Sequence, residues 1–319
     1  MRYKIAGISK LGPIIKDMQT FGDILFKRIS SARVMLFTQG EMAQLTFQSF
    51  DKYVQLINES PEETISVTYP IGYRADKTPI NTTYDYRKED LISRYQFLGL
   101  TQLPVNGIYQ LVTIVETLLG DIIREILKEY PVKIPNKRKL DAEVVLEAAS
   151  LEEVKNSIIN SLLNELAYKS PKDYAEEFAK YATINLLEKP AFHRYLELKA
   201  TRDIYIHNSG IANDIYTSKA DRLSRVKAGQ LLPVDIQYFL ESYESCLQIT
   251  EILETDLNKI WPSPEFVKSK QTMTVEKEKE QAIEQVIEKA EEAQEEIQKP
   301  VRKIRILKVP TKKTVKRKK

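Results

Sequence analysis

Across 319 residues there is a single cysteine, Cys246, and only two histidines, His193 and His207. One cysteine excludes an intrachain disulfide and a cysteine-rich zinc site. Two histidines leave no material for the usual metal-ligand clusters, so neither a metal nor another cofactor is expected. The chain has no P-loop, no G-x-G-x-x-G, no H-E-x-x-H and no nucleophile elbow, so none of those enzyme classes finds support. No apolar run approaches the ~20 residues that span a bilayer. The start, Met1-Arg2-Tyr3-Lys4, lacks the apolar core of a signal peptide. The expectation is a cytoplasmic chain with no membrane partner.

What is there is charge, unevenly spread. The net charge is +3, yet the segment after Trp261 holds 16 Lys/Arg against 10 Asp/Glu, leaving the body before it mildly acidic. A basic tail on such a body implies weak attraction to nucleic acid or other anionic surfaces.

Glycine is scarce and helical periodicity recurs. Pro13 is placed to open a helix with Ile14, Met18, Phe21, Leu25 and Ile29 on one stripe. A second pattern runs through Met42, Leu45, Phe50, Val54 and Ile57. Thr64 to Tyr69 then alternates in the β manner, and the stretch to Arg87 is rich in Pro, Thr, Asn and Tyr, so 61–88 reads as a hairpin or a long irregular loop. The clearest signal is Asn106 to Tyr130. Ile108, Leu111, Val112, Val115, Leu118, Leu119, Ile122 and Ile126 make one apolar face, and Pro131 stops the helix. Glu116, Asp121 and Arg124 on its polar side read as a solvated face, with the acidic residues also placed to contact Arg202 of a later helix. A basic connection follows, Lys133 to Lys139. Ser150 and Glu153 form a capping box, and Ser170-Pro171-Lys172-Asp173 repeats that logic for a helix bearing Tyr174, Phe178 and Tyr181. Pro190 opens a helix from Ala191 to about His207, closed by Asn208-Ser209-Gly210. Pro233 begins a last helix reaching about Lys259.

The fold expected is therefore all-α: an up-and-down helical bundle over residues 101–261, with an additional, mostly helical part over 1–100. Residues 262–319 read as a marginal charged helix (Glu276 to Lys299) and a disordered basic tail (Lys312 to Lys319).

The helix from Ala191 combines two things that conflict. Its apolar residues (Phe192, Tyr195, Leu196, Leu198, Ile204, Tyr205, Ile206) fall nearly all round, which belongs in a core or interface. Yet it carries Arg202, Asp203 and His207, which cannot be buried without partners. Such a conflict marks functional sites. Asp203 and His207 stack one turn apart, so the carboxylate can orient the imidazole. Arg202 and His207 stand about 140° apart around an ideal helix. They converge only if the helix ends near His207 or if a partner subunit brings a second copy. The bland alternative is a structural Arg paired with Glu197 or a neighbouring acid, and a His capping the helix C-terminus. His193 reads as ordinary packing and Cys246 as a small core residue. Tyr69, Tyr73, Arg74, Tyr84, Tyr86 and Arg87 read as a surface loop or, less plainly, as a platform for single-stranded bases.

Arg202-Asp203-x-x-Ile206-His207, a late bundle helix and the stop at Asn208-Ser209-Gly210 together resemble the R-x(4–6)-H ribonuclease motif of the HEPN superfamily, in its prokaryotic defence-associated group. The resemblance covers roughly residues 101–261. It implies a metal-independent endoribonuclease, cleaving RNA at a composite site in a homodimer joined through the motif helix. By that resemblance His207 is the general base or acid, Arg202 holds the phosphate, and Asp203 orients His207. Asn208 and Glu197 are supporting residues. The same resemblance leaves open a catalytically silent dimerising or nucleic-acid-binding module. It also leaves open a regulatory partner of a nucleotidyltransferase, with Tyr205 as the acceptor of a nucleotide, and a toxin held by an antitoxin.

Overall fold

A computed structural model describes residues 8–135 and 142–267, with side chains placed for 21–135 and 145–267. The architecture is an all-α bundle with one two-stranded hairpin: α1 (Ile8–Glu59), β1 (Thr64–Tyr73), β2 (Pro79–Arg87), α2 (Lys88–Phe97), α3 (Leu103–Glu129), α4 (Ala142–Glu147), α5 (Leu151–Ala167), α6 (Pro171–Ala182), α7 (Pro190–His207), α8 (Asp214–Ala220) and α9 (Ile236–Ile260). The charged helix and basic tail expected beyond residue 267 lie outside the described residues, as does most of the basic connection before α4.

Helix α3 is the axis. All eight residues of the apolar face read from its periodicity are buried, and Ile114, Ile123 and Leu127 are buried as well. The apolar belt is wide because α1, α9, α7, α5 and α6 all pack around this one helix. Tyr130 leaves helical geometry and Pro131 blocks continuation.

The two helical patterns before residue 60 belong to one unbroken helix. At about 1.5 Å per residue, the 52 residues of α1 run for about 78 Å. Phe21, Leu25, Ile29, Ala32, Leu36 and Ala43 lie in the same buried cluster as α3 and α9. Arg33 of α1 forks onto Glu254 of α9 at 3.1 and 3.0 Å, and Arg28 reaches Glu125 of α3 at 2.6 Å. The core is thus continuous across the boundary expected at residue 100, and one compact unit runs through to Phe266. Farther along α1 the expected stripe holds in its second half only, where Phe50 and Val54 are half-buried and Ile57 is buried. Met42 and Leu45 are exposed, while Ala43, Phe47 and Ile57 turn inward. Around Met42 the inward positions of the helix fall to Ala43 and Phe47, which leaves Met42 and Leu45 on the outer side.

Of the two readings of residues 61–88, the hairpin is the one formed. Its register pairs Thr64 with Arg87 and Thr68 with Thr83, with an irregularity between Pro70 and Gly72. Asp76 Oδ1 closes the turn by accepting from the backbone N–H and hydroxyl of Thr78, and Lys77 takes a left-handed φ of 67°. Tyr73 and Tyr84 are exposed on this ribbon. Chain then passes from α2 to α3 through a π-turn at Leu98–Gln102.

Both predicted caps form. Ser150 Oγ accepts from Glu153 N–H, and Glu153 answers by accepting from Ala149 N–H. Ser170 Oγ accepts from Asp173 N–H. The last helix starts later than Pro233 suggests. Asp235 is its cap, accepting from Tyr238 N–H at 2.8 Å, because an aspartate offers the oxygen that a proline lacks. Cys246 is a buried core residue whose thiol is pushed up by burial. No helix among the described residues is long and apolar enough to cross a membrane.

Candidate functional site

Helix α7 has two working faces. Glu197, Thr201 and Ile204 lie on the buried one. The Glu197 carboxylate accepts from Thr201 Oγ1, Tyr216 Oη and Tyr238 Oη, each at 2.8 Å, and from Arg225 Nε at 3.0 Å. Arg225 lies over the Tyr238 ring, its Cζ 3.6 Å from the centroid, and also donates to the Pro233 carbonyl. Burial holds the Tyr238 hydroxyl well above its usual pKa, so it stays a donor. This network fastens α8 and the Ser224–Val234 connection to α7 and α9. Glu197, expected as a supporting site residue, is held in this buried network, and no hydrogen bond or ion pair joins it to Arg202 among the described residues.

On the opposite face, Tyr195, Lys199 and Arg202 follow the i, i+4, i+7 spacing and line up along the helix. They border a cavity of about 540 Å³ with Glu116, Asp203 and Lys219. Arg202 Nη2 donates to both oxygens of Glu116 at 3.0 and 3.1 Å, and Lys199 reaches the same carboxylate at 2.5 Å. Asp203 is held by Lys219 at 3.2 Å and lies 3.5 Å from Arg202 Nε. Of the two readings of Glu116, contact with the motif arginine is the one formed.

His207 is the last residue of α7, exposed, and no hydrogen bond or ion pair to its side chain is found among the described residues. Asp203 turns to Lys219 and Arg202 instead, so the expected Asp203–His207 pair is not made within the chain. Arg202 and His207 do not share the cavity either: the arginine borders it and the histidine does not. Asn208 spends its side-chain amide on the Ile211 carbonyl and its backbone N–H on Ile204. Ser209 (φ 52°) and Gly210 (φ 81°) then turn the chain away, and a Cβ on Gly210 would press on the Tyr205 ring at 3.2 Å. Tyr205 Oη donates to the Leu232 carbonyl at 2.6 Å. His193 bonds the Leu187 carbonyl at 2.8 Å, a packing role.

Three cavity residues escaped sequence reading. Tyr195 reads from the sequence as one of the apolar residues of the helix, and Lys199 carries no signal beyond its spacing from Arg202. Lys219 comes from α8, sixteen residues later, and no spacing rule links it to Asp203. Among the described residues no group of three or more His, Cys, Asp or Glu is placed to hold a metal. Compared with known proteins, the chain matches no family model, no curated protein and no solved structure.

Proposed function

We propose that this chain is a metal-independent endoribonuclease of HEPN type, acting in the cytoplasm as a homodimer joined through the α7 end. The observation that carries the reading is the division of α7 between a cation-lined cavity at Arg202 and an exposed, unengaged imidazole at its last residue, His207. RNA supplies its own nucleophile, so catalysis needs a base, an acid and charge stabilisation at phosphorus. His207 takes the 2′-hydroxyl proton as that oxygen attacks the phosphorus, and the 5′-oxygen leaves with a proton returned by a histidine. The products are a 2′,3′-cyclic phosphate and a 5′-hydroxyl. Arg202 of the other subunit stabilises the charge gathering on the phosphoryl oxygens. The placement of Arg202 and His207 on different sides of the helix favours such a shared site over one completed within a chain. A role as a toxin or defence effector rests on the family resemblance alone.

One observation favours a second reading, a silent RNA-binding or dimerising module: Arg202 is already held by Glu116, and Asp203 by Lys219. Labelled total RNA with EDTA present separates the two. Cleavage by the wild type and not by the Arg202→Ala/His207→Ala protein, leaving cyclic-phosphate ends, is the expected outcome. Equal cleavage by both proteins, or none by either, removes the support for this site as a ribonuclease centre.

A further inference from the structure

The cavity beside Arg202 holds groups that RNA cleavage does not use. Tyr195 is 2% exposed, and its hydroxyl is buried with no hydrogen-bond partner. Arg202 Nε is likewise buried without a hydrogen bond, Asp203 standing 3.5 Å away. A folded chain gains nothing from a stranded phenol, since phenylalanine would pack there without the loss of a hydration shell. Both residues border the same space, and Asp203 is the charged group beside Arg202 Nε.

The charges there are also unbalanced. Lys199, Arg202 and Lys219 face Glu116 and Asp203, one positive charge in excess, while Lys169 at the rim is occupied by Glu177 at 2.7 Å. Leu119, Leu163 and Phe192 supply apolar lining to the same cavity. A ligand that satisfies this set needs several acceptor oxygens, at least one negative charge and an organic body. A carboxylate has two oxygens and a single charge. A phosphodiester has two free oxygens, a single charge and chain on both sides. A phosphomonoester has three free oxygens, nearly two charges at neutral pH and one organic arm. The volume is that of a small-molecule site.

We propose that this cavity binds a small organic phosphomonoester, its oxygens taken by Tyr195 Oη, Arg202 Nε and Lys219 and its organic group laid on Leu119, Leu163 and Phe192. It shares Arg202 with the ribonuclease reading, but the ligand is a small molecule and not the RNA backbone. Burial raises the Tyr195 hydroxyl far above its usual pKa, which keeps its proton available for donation.

Calorimetric titration of the full chain with phenyl phosphate tests this, with inorganic phosphate and methyl phenyl phosphate as companions. Phenyl phosphate is expected to bind about tenfold tighter than inorganic phosphate because of the apolar lining, and the diester to bind more weakly than either. Tyr195→Phe is expected to lower phenyl phosphate affinity about tenfold, one hydrogen bond to a charged oxygen. Its ligand-free melting temperature should equal or exceed that of the wild type. If that variant does not fold, Lys219→Gln on the cavity rim provides the same test of affinity. Unchanged affinity in these variants, no binding at millimolar phenyl phosphate, or equal binding of all three probes would each overturn the proposal. Cleavage is a separate readout. A chain that binds phenyl phosphate through Tyr195 but spares RNA sinks the ribonuclease reading alone, and one that cleaves RNA but ignores phenyl phosphate sinks this one alone.

Discussion

Glu116 of α3 and Arg202 of α7, eighty-six residues apart in sequence, meet through two hydrogen bonds of 3.0 and 3.1 Å from a single guanidinium nitrogen. The pair sits at the edge of the cation-lined cavity, with Lys199 on the same carboxylate. A phosphate arriving at Arg202 must therefore compete with a resident anion, and Glu116 sets the strength of that competition.

Removing the resident anion should strengthen binding of RNA. Glu116→Gln keeps the shape and drops the charge, and affinity for a short single-stranded RNA at low salt is expected to rise several-fold, read by fluorescence anisotropy. Because both partners are partly exposed, the stability lost should be only about 1 kcal/mol. Unchanged or weaker RNA binding would show that Arg202 does not serve phosphate.

Much of the fold was legible because it is set by local rules. The α3 face, the Ser150 and Ser170 caps and the Pro190 start each need only a spacing or a single side chain. The α1 error has a different cause. Whether Met42 or Ala43 faces inward depends on which helices lie alongside, and that is non-local information. The site followed the same division. Arg202, Asp203 and His207 were marked by polarity on an apolar helix, whereas the engagement of Arg202 by Glu116, and of Asp203 by Lys219, is decided by how α3 and α8 pack. The buried network of Glu197 is not legible in the sequence, because its partners Tyr216, Arg225 and Tyr238 come from three later segments.

Glu197→Gln should act on stability and not on chemistry. It leaves the Arg225 guanidinium without its charge partner in a mostly buried network, a loss of roughly 3 kcal/mol. For a unit of this size the melting temperature should fall by about 6–12 °C, measured by differential scanning calorimetry. Cleavage per folded molecule well below that temperature should be unchanged. Lost cleavage with an intact melting temperature would return Glu197 to the substrate side.

Gly22→Ala tests whether the start of α1 is integral to the bundle. A Cβ at that position would come within 2.5 Å of the Trp261 and Pro262 carbonyl oxygens, which are backbone atoms and cannot swing aside. Overpacking of this kind costs about 1–3 kcal/mol, and the shift should appear in the single unfolding transition of the whole bundle in urea. A chain that melts as before, or loses only part of its helix signal in a separate early step, would mean that α1 is an independent appendage.

The composite site makes a prediction that no single-chain site shares. Arg202→Ala and His207→Ala proteins should each be inactive alone. If each site takes its arginine from one subunit and its histidine from the other, a heterodimer of the two variants has one site with both groups damaged and one with both intact. Random reassortment makes about half the dimers mixed, and each mixed dimer keeps one of its two sites, so about a quarter of wild-type cleavage should return. If Arg202 and His207 of the same chain work together, every site in the mixture lacks one group and nothing returns. Mixing, a mild unfolding and refolding step to exchange subunits, and a cleavage assay on labelled RNA decide between these outcomes. The placement of Arg202 at the cavity and of His207 outside it, on one straight helix, favours the quarter.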